Sequence, residues 1–142
     1  MKIKTFINPY YLLFTMQERI CVIEDNDILF KLYTTFLSQL GITAIVRHKN
    51  AISAISDLLQ NQYDFIMSDC DLEGNIKGPE LIALLRRTQP ETPILMASAH
   101  EPDPSWKFDA YIKKPMTMQL FNENIAKIQE IVEERRAWSD TQ

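Results

Sequence analysis

The sequence predicts an α/β protein in which a doubly wound, five-stranded parallel sheet carries helices on both faces. Three observations point there. Short, unbroken apolar runs alternate with segments of helical period. Those runs are too uniformly apolar for a sheet with one wet face, so they belong in a sheet covered on both sides. Finally, charged side chains gather where the runs end, which is where open parallel sheets keep their chemistry. The chain has 142 residues, 46% hydrophobic and 24% charged, enough for one core in one domain.

The elements follow in order. "RICVIE" (19–24) reads as a buried strand. "NDILFKLYTTFLSQLG" (26–41) reads as a helix, because Leu29, Leu32, Phe36 and Leu40 recur at helical spacing; Asn26 or Asp27 caps it and Gly41 stops it. "ITAIV" (42–46) is the second strand, and "NAISAISDLLQN" (50–61) a helix with Ile52, Ile55 and Leu59 on one face. "DFIMS" (64–68) is the third strand. "GPELIALLRRT" (78–88) is a helix with Pro79 in its first turn, where a missing N–H costs nothing, and Pro90 ends it. "PILMAS" (93–98) and "DAYIK" (109–113) are the fourth and fifth strands. "TMQLFNENIAKIQEIVEERRAW" (117–138) is a long last helix whose stripe of Phe121, Ile125, Ile128 and Val132 faces the core. The far end of that stripe is either a frayed terminus or a seam for a partner.

Residues 1–18 read as an extension ahead of a domain spanning 19–138. The apolar stretch from Tyr10 to Phe14 is too short to span a bilayer, is preceded by Asn8-Pro9 and has no small-residue cleavage site. Met16 is a candidate natural start. A net charge of -4 without a basic stripe argues against bulk nucleic-acid binding. The pairs Arg86-Arg87, Lys113-Lys114 and Arg135-Arg136 read as solvated faces, and His48 and His100 as surface histidines. Cys21 and Cys70 fall in predicted strands; two cysteines are too few for a disulfide scaffold or a zinc site and read as buried free thiols.

The strand ends carry the chemistry. Glu24, Asp25 and Asp27 follow the first strand, and Asp69, Asp71 and Glu73 the third. Ser98 ends the fourth, and Lys113-Lys114-Pro115 the fifth. Carboxylates from two adjacent strands are too negative to share a partly dry cleft unbalanced. A hard divalent cation such as Mg²⁺, held by protein oxygens, answers that charge, and Lys114 adds to it. A carboxylate beside a cation and a lysine can attack phosphorus as a nucleophile. Those positive charges offset charge building on the phosphoryl oxygens, and Ser98 can donate to them.

Taken together, "RICVIEDND", "YDFIMSDCDLEGNIKGPEL", "TPILMASA" and "YIKKP" make residues 19 to about 131 resemble the response-regulator receiver domain of two-component signalling. The resemblance implies a flavodoxin-like sheet of order 2-1-3-4-5, the order of the chemotaxis receiver. It implies that Asp69 accepts the phosphoryl group. Mg²⁺ is then held by Glu24, Asp25, Asp69 and the backbone carbonyl of Asp71. Ser98 and Lys114 bind the phosphoryl group, Tyr111 reports the switch, and the peptide before Pro115 is cis. The implied partners are a sensor histidine kinase or histidine phosphotransfer protein and a downstream protein target, without nucleic acid or membrane, for a monomer or homodimer in the cytoplasm. Such a domain promotes only its own phosphorylation and dephosphorylation. The alternatives are a degenerate receiver acting as a phosphorylation-independent binding module, and a small phosphatase built on the Asp69-Cys70-Asp71 pair of acids.

Three departures from the family pattern stand out. Glu24 replaces the commoner aspartate. The loop from Cys70 to Lys77 is a residue longer than usual and lacks a proline. In "AHEPDPSWKFD" (99–109), where the family places a helix, the segment is short and carries Pro102 and Pro104. The sequence therefore predicts that this helix is missing or reduced to one turn, with Trp106 covering the apolar surface it would bury.

Overall fold

A computed structural model describes residues 18–140 apart from 73, 75 and 77, and the side chains as far as residue 138. Residues 1–17 of the extension, Met16 among them, and Glu73 thus lie outside the described residues. The chain order is β1 (Arg19–Ile23), α1 (Asp27–Gln39), β2 (Ala44–His48), α2 (Ala51–Leu58), β3 (Phe65–Asp69), α3 (Gly78–Thr88), β4 (Ile94–Ser98), β5 (Ala110–Lys113) and α4 (Met118–Asp140). The sheet has the order β2-β1-β3-β4-β5, and every neighbouring pair is parallel. β3 and β4 are buried throughout and β1 from Ile20 onward, as their continuous apolar runs require, whereas the edge strands β2 and β5 are only partly covered.

Local signals fix the helix ends. Asn26 caps α1 by accepting the Leu29 N–H at 2.9 Å, and Gly41 leaves the helix at φ 81, a conformation open to glycine. Asn50 caps α2 through the Ser53 N–H at 2.8 Å. On one face of the sheet, Phe121, Ile125, Ile128 and Val132 of α4 pack with Tyr33, Phe36 and Leu37 of α1 against Ile20, Val22, Phe65 and Met67. The Phe121 ring is fully buried, 5.2 Å from Phe36 and 6.4 Å from Tyr33. On the other face, α2 and α3 cover Cys21, Ile23, Ile66, Ile94 and Met96.

Several expectations need correction. The second strand begins at Ala44 and ends at His48, two residues later than the apolar run suggested. α2 buries Ala51, Ala54 and Leu58, whereas Ile52 and Leu59 are each 71% exposed. The helix lies close to the sheet on its small residues, and periodicity weighted by side-chain size picked the neighbouring face. Cys70 follows β3 rather than lying in it. His48 is not a surface residue: its side chain is 13% exposed and bridges Ser53 and Asp57.

No helix occupies residues 99–109. That connection makes one turn, closed by Trp106 N–H donating to the Asp103 carbonyl at 3.0 Å. Trp106 and Phe108 pack against the α2–α3 side of the core. Arg86, read from the sequence as solvated, fastens the connection to α3. Its guanidinium donates to the carbonyls of Lys107 and Thr92 at 2.9 Å each and to Asp109 Oδ2 at 2.9 Å. Asp109 in turn accepts the Ile94 N–H at 2.8 Å, tying the connection to β4.

Candidate functional site at the carboxyl edge of the sheet

The parallel register carries the ends of β1, β3, β4 and β5 to one edge. Ile23 lies opposite Ser68, Asp69 opposite Ala97, and Ser98 opposite Lys113. Glu24 and Asp25 leave β1 beside the end of β3, and carboxylate oxygens of Glu24, Asp25 and Asp69 fall within 4.8 Å of one another. Glu24 is fully buried and Asp69 is 4% exposed.

Each oxygen of Asp69 has a partner. Oδ2 accepts from Lys114 Nζ at 2.9 Å, and Oδ1 accepts the Asp71 N–H at 2.8 Å. Glu24 Oε2 accepts the Asn26 N–H at 3.2 Å, while Glu24 Oε1 is buried with no hydrogen-bond partner. Burial pushes the Glu24 carboxyl up to about 8, and the charge of Asp69 adds to the rise; the Asn26 amide and Lys114 oppose it. A buried carboxylate oxygen without a hydrogen-bond partner, beside two further acids, is a donor set that fits a divalent cation. All the donors are hard oxygens, which suits Mg²⁺. Asp27 does not join this set: it pairs with Arg47 at 2.8 Å and Lys49 at 3.5 Å on the exposed side of α1.

Ser98 is buried at the same edge, and its hydroxyl donates to both Asp71 oxygens at 3.2 Å. The Ala99 N–H also donates to Asp71 Oδ2, at 3.0 Å. The Asp71 carboxylate therefore occupies a hydroxyl and an amide that face the acidic cleft. The family resemblance implied only a backbone role for Asp71; its spacing of two from Asp69 was the one available hint of more. His100 Nε2 lies 3.9 Å from Asp71 Oδ1 and is mostly exposed. Tyr111 packs its ring against Phe108 at 5.2 Å, and its hydroxyl donates to the His100 carbonyl. The Lys114–Pro115 peptide is cis. Next to Lys114, Leu29, Leu32, Ala99, Pro115 and Met116 line an apolar hollow of about 390 Å³. A larger cleft of about 600 Å³ lies elsewhere, between α3 and the Asp103–Lys107 turn, and touches none of the acidic residues.

A five-stranded parallel sheet of order 2-1-3-4-5, with an acid cluster and a lysine at its carboxyl edge, defines a doubly wound fold of the flavodoxin-like class. The sequence model of the response regulator receiver domain matches residues 20–126, and the chain belongs to that family. No curated protein sequence matches the chain significantly. Solved structures share the fold. The receiver domain of a sensor histidine kinase from Pseudomonas aeruginosa, with a magnesium ion in its active-site cleft, superposes with a TM-score of 0.69 at 19% identity, covering 82% of this chain and 98% of that one. The response regulator TrrA from Thermotoga maritima, in complex with Mg²⁺ and BeF, gives 0.69 at 23% identity, covering 78% of this chain and 98% of that one. The receiver domain of a putative LuxO repressor protein from Vibrio parahaemolyticus gives 0.74 at 16% identity, covering 86% and 98%. At identities this low the likeness speaks to fold alone. Among the described residues, no helix is long and apolar enough to cross a membrane.

Proposed function

We propose that this receiver domain accepts a phosphoryl group on Asp69 from a phosphohistidine of a sensor kinase or phosphotransfer partner and signals through a protein target. The observation that carries the reading is the Lys114–Asp69 contact at 2.9 Å inside a cluster of three acids, one with an orphaned oxygen. Glu24, Asp25, Asp69 and the carbonyl of Asp71 would hold Mg²⁺, which supplies charge neutralisation on the phosphoryl oxygens. An Asp69 oxygen attacks phosphorus, the bond from phosphorus to the donor's nitrogen breaks with its electron pair going to that nitrogen, and the ring, already protonated on its other nitrogen, leaves as neutral imidazole. Lys114 stays beside the acyl phosphate and offsets its charge. The Ser98 hydroxyl and the Ala99 N–H turn from Asp71 to the new phosphoryl oxygens, and Tyr111, bonded to the His100 carbonyl, senses that movement. The apolar hollow beside Lys114 supports docking of the donor's helix at this edge.

The test is incubation with a small acyl-phosphate donor and Mg²⁺, followed by intact-mass measurement. One phosphoryl group appears on the wild type and none on Asp69→Asn or without Mg²⁺. A second reading, a binding module independent of phosphorylation, draws support from the helix-free connection between β4 and β5, which removes part of the face that receivers use for output. An unchanged mass with every donor, together with retained partner binding, selects it. Domain limits of 19–138, with a preceding extension, fit either reading, as does a monomer or a homodimer.

A further inference from the structure

Three segments away from the acidic cleft bring sulfur, nitrogen and oxygen donors to one point. Cys21 Sγ from β1, a ring nitrogen of His48 at the end of β2, and a carboxylate oxygen of Asp57 from α2 lie within 4.8 Å of one another. The β1–β2 register pairs Cys21 with Val46 and Ile23 with His48, so Cys21 and His48 project from the same face of adjacent strands. α2 crosses that face and lowers Asp57 onto them.

The surroundings orient two of the three donors. His48 Nδ1 lies 2.6 Å from Ser53 Oγ, and Nε2 lies 2.7 Å from Asp57 Oδ2. Asp57 Oδ1 accepts from Asn61 Nδ2 at 2.7 Å, and the Tyr63 hydroxyl donates to Oδ2. Outer hydrogen bonds that fix a histidine tautomer and a carboxylate rotamer are the usual support of a protein metal site. The Cys21 sulfur is fully buried, yet the His48 and Asp57 side chains are 13% and 14% exposed, which leaves an entry side.

We propose that Cys21, His48 and Asp57 form a second metal site, selective for a borderline-soft cation of the zinc class, with water completing four-fold coordination. The mixed sulfur, nitrogen and oxygen set suits zinc, whereas magnesium takes oxygen only. Loading replaces the Cys21 thiol proton, which leaves to solvent, and inserts the cation between His48 Nε2 and Asp57 Oδ2. The neutral imidazole changes tautomer: the proton that Nε2 donated to Asp57 is replaced by one on Nδ1, donated to Ser53 Oγ. Because the cation takes the place of the thiol proton, affinity climbs with pH. The site shares no residue with the Mg²⁺ cluster and ties β1, β2 and α2 together.

The experiment is a Co²⁺ titration of the reduced, chelator-stripped chain in excess Mg²⁺, which keeps the acidic cleft occupied. A sulfur-to-cobalt charge-transfer band with intense visible absorption at one equivalent, erased by added Zn²⁺, is the expected result. Cys21→Ala abolishes the band and Asp69→Asn leaves it. His48→Gln, whose amide can still bond Ser53 and Asp57 and so preserves folding, weakens binding roughly tenfold or more. Absence of the band in the wild type overturns the proposal. So does a band that survives Cys21→Ala, which assigns the sulfur to Cys70, or one that Asp69→Asn removes.

Discussion

The Asp71 carboxylate holds two donors that a phosphoryl group on Asp69 would need, so truncating it should make the site more receptive. Asp71→Ala leaves in place the backbone N–H that binds Asp69 at 2.8 Å and frees Ser98 Oγ and the Ala99 N–H. The hydroxyl has one proton, shared between two oxygens at 3.2 Å, and the amide contact is 3.0 Å. These are two charge-assisted hydrogen bonds at the long end of their range, to a carboxylate a third exposed. After discounting for solvent, each is worth about 0.5–1 kcal/mol, or about 1–2 kcal/mol together. At 1.4 kcal/mol per factor of ten, a phosphoryl mimic should bind about 5- to 30-fold more tightly. The assay is titration with beryllofluoride in saturating Mg²⁺, read by Trp106 fluorescence in a Trp138→Phe background. Simple loss of negative charge would also favour an anion, so a double-mutant cycle with Ser98→Ala separates the effects. If Asp71 acts by holding Ser98, its removal gains less when Ser98 is already alanine. Unchanged or weaker binding in Asp71→Ala, or strict additivity in the cycle, would refute the reasoning.

Further outcomes are expected. Lys114→Ala removes the cation beside Asp69 and should abolish or sharply slow phosphorylation, by intact mass, while leaving Mg²⁺ binding measurable by calorimetry. Glu24→Gln should weaken Mg²⁺ binding in the same calorimetric titration, since it removes a buried acid whose Oε1 lacks a partner. Arg86→Ala removes the cation beside Asp109 and the donors to two carbonyls, and should lower stability by about 2–4 kcal/mol in urea unfolding. Glu18 is fully buried, and burial raises its carboxyl from 4.5 to about 7, with Asp64 and Glu133 adding to the rise and Arg136 opposing it. The folded state therefore holds a proton that the unfolded state releases. Its contribution is complete below about 4.5 and is lost as pH rises through about 7, a swing of at most about 3 kcal/mol. Glu18→Gln should flatten that slope in unfolding curves taken from pH 5 to pH 8; an unchanged slope would assign it to another group.

The sequence alone determined the sheet. Central strands buried on both faces must read as unbroken apolar runs, caps such as Asn26 and Asn50 mark helix starts with a local hydrogen bond, and two prolines exclude a helix interior from 99–109. The residues that meet at the carboxyl edge were legible for a related reason: in a parallel sheet every strand delivers its end to one side, so chain position there fixes neighbourhood in space. What only the tertiary structure decided were contacts between side chains whose separation in sequence carries no period. Arg86 found Asp109, the Asp71 carboxylate found Ser98, and His48 turned inward to Asp57 and Cys21. The face that α2 buries was settled in the same way, by how closely Ala51 and Ala54 let it approach, because burial rewards the fit between two surfaces and not the size of any one side chain.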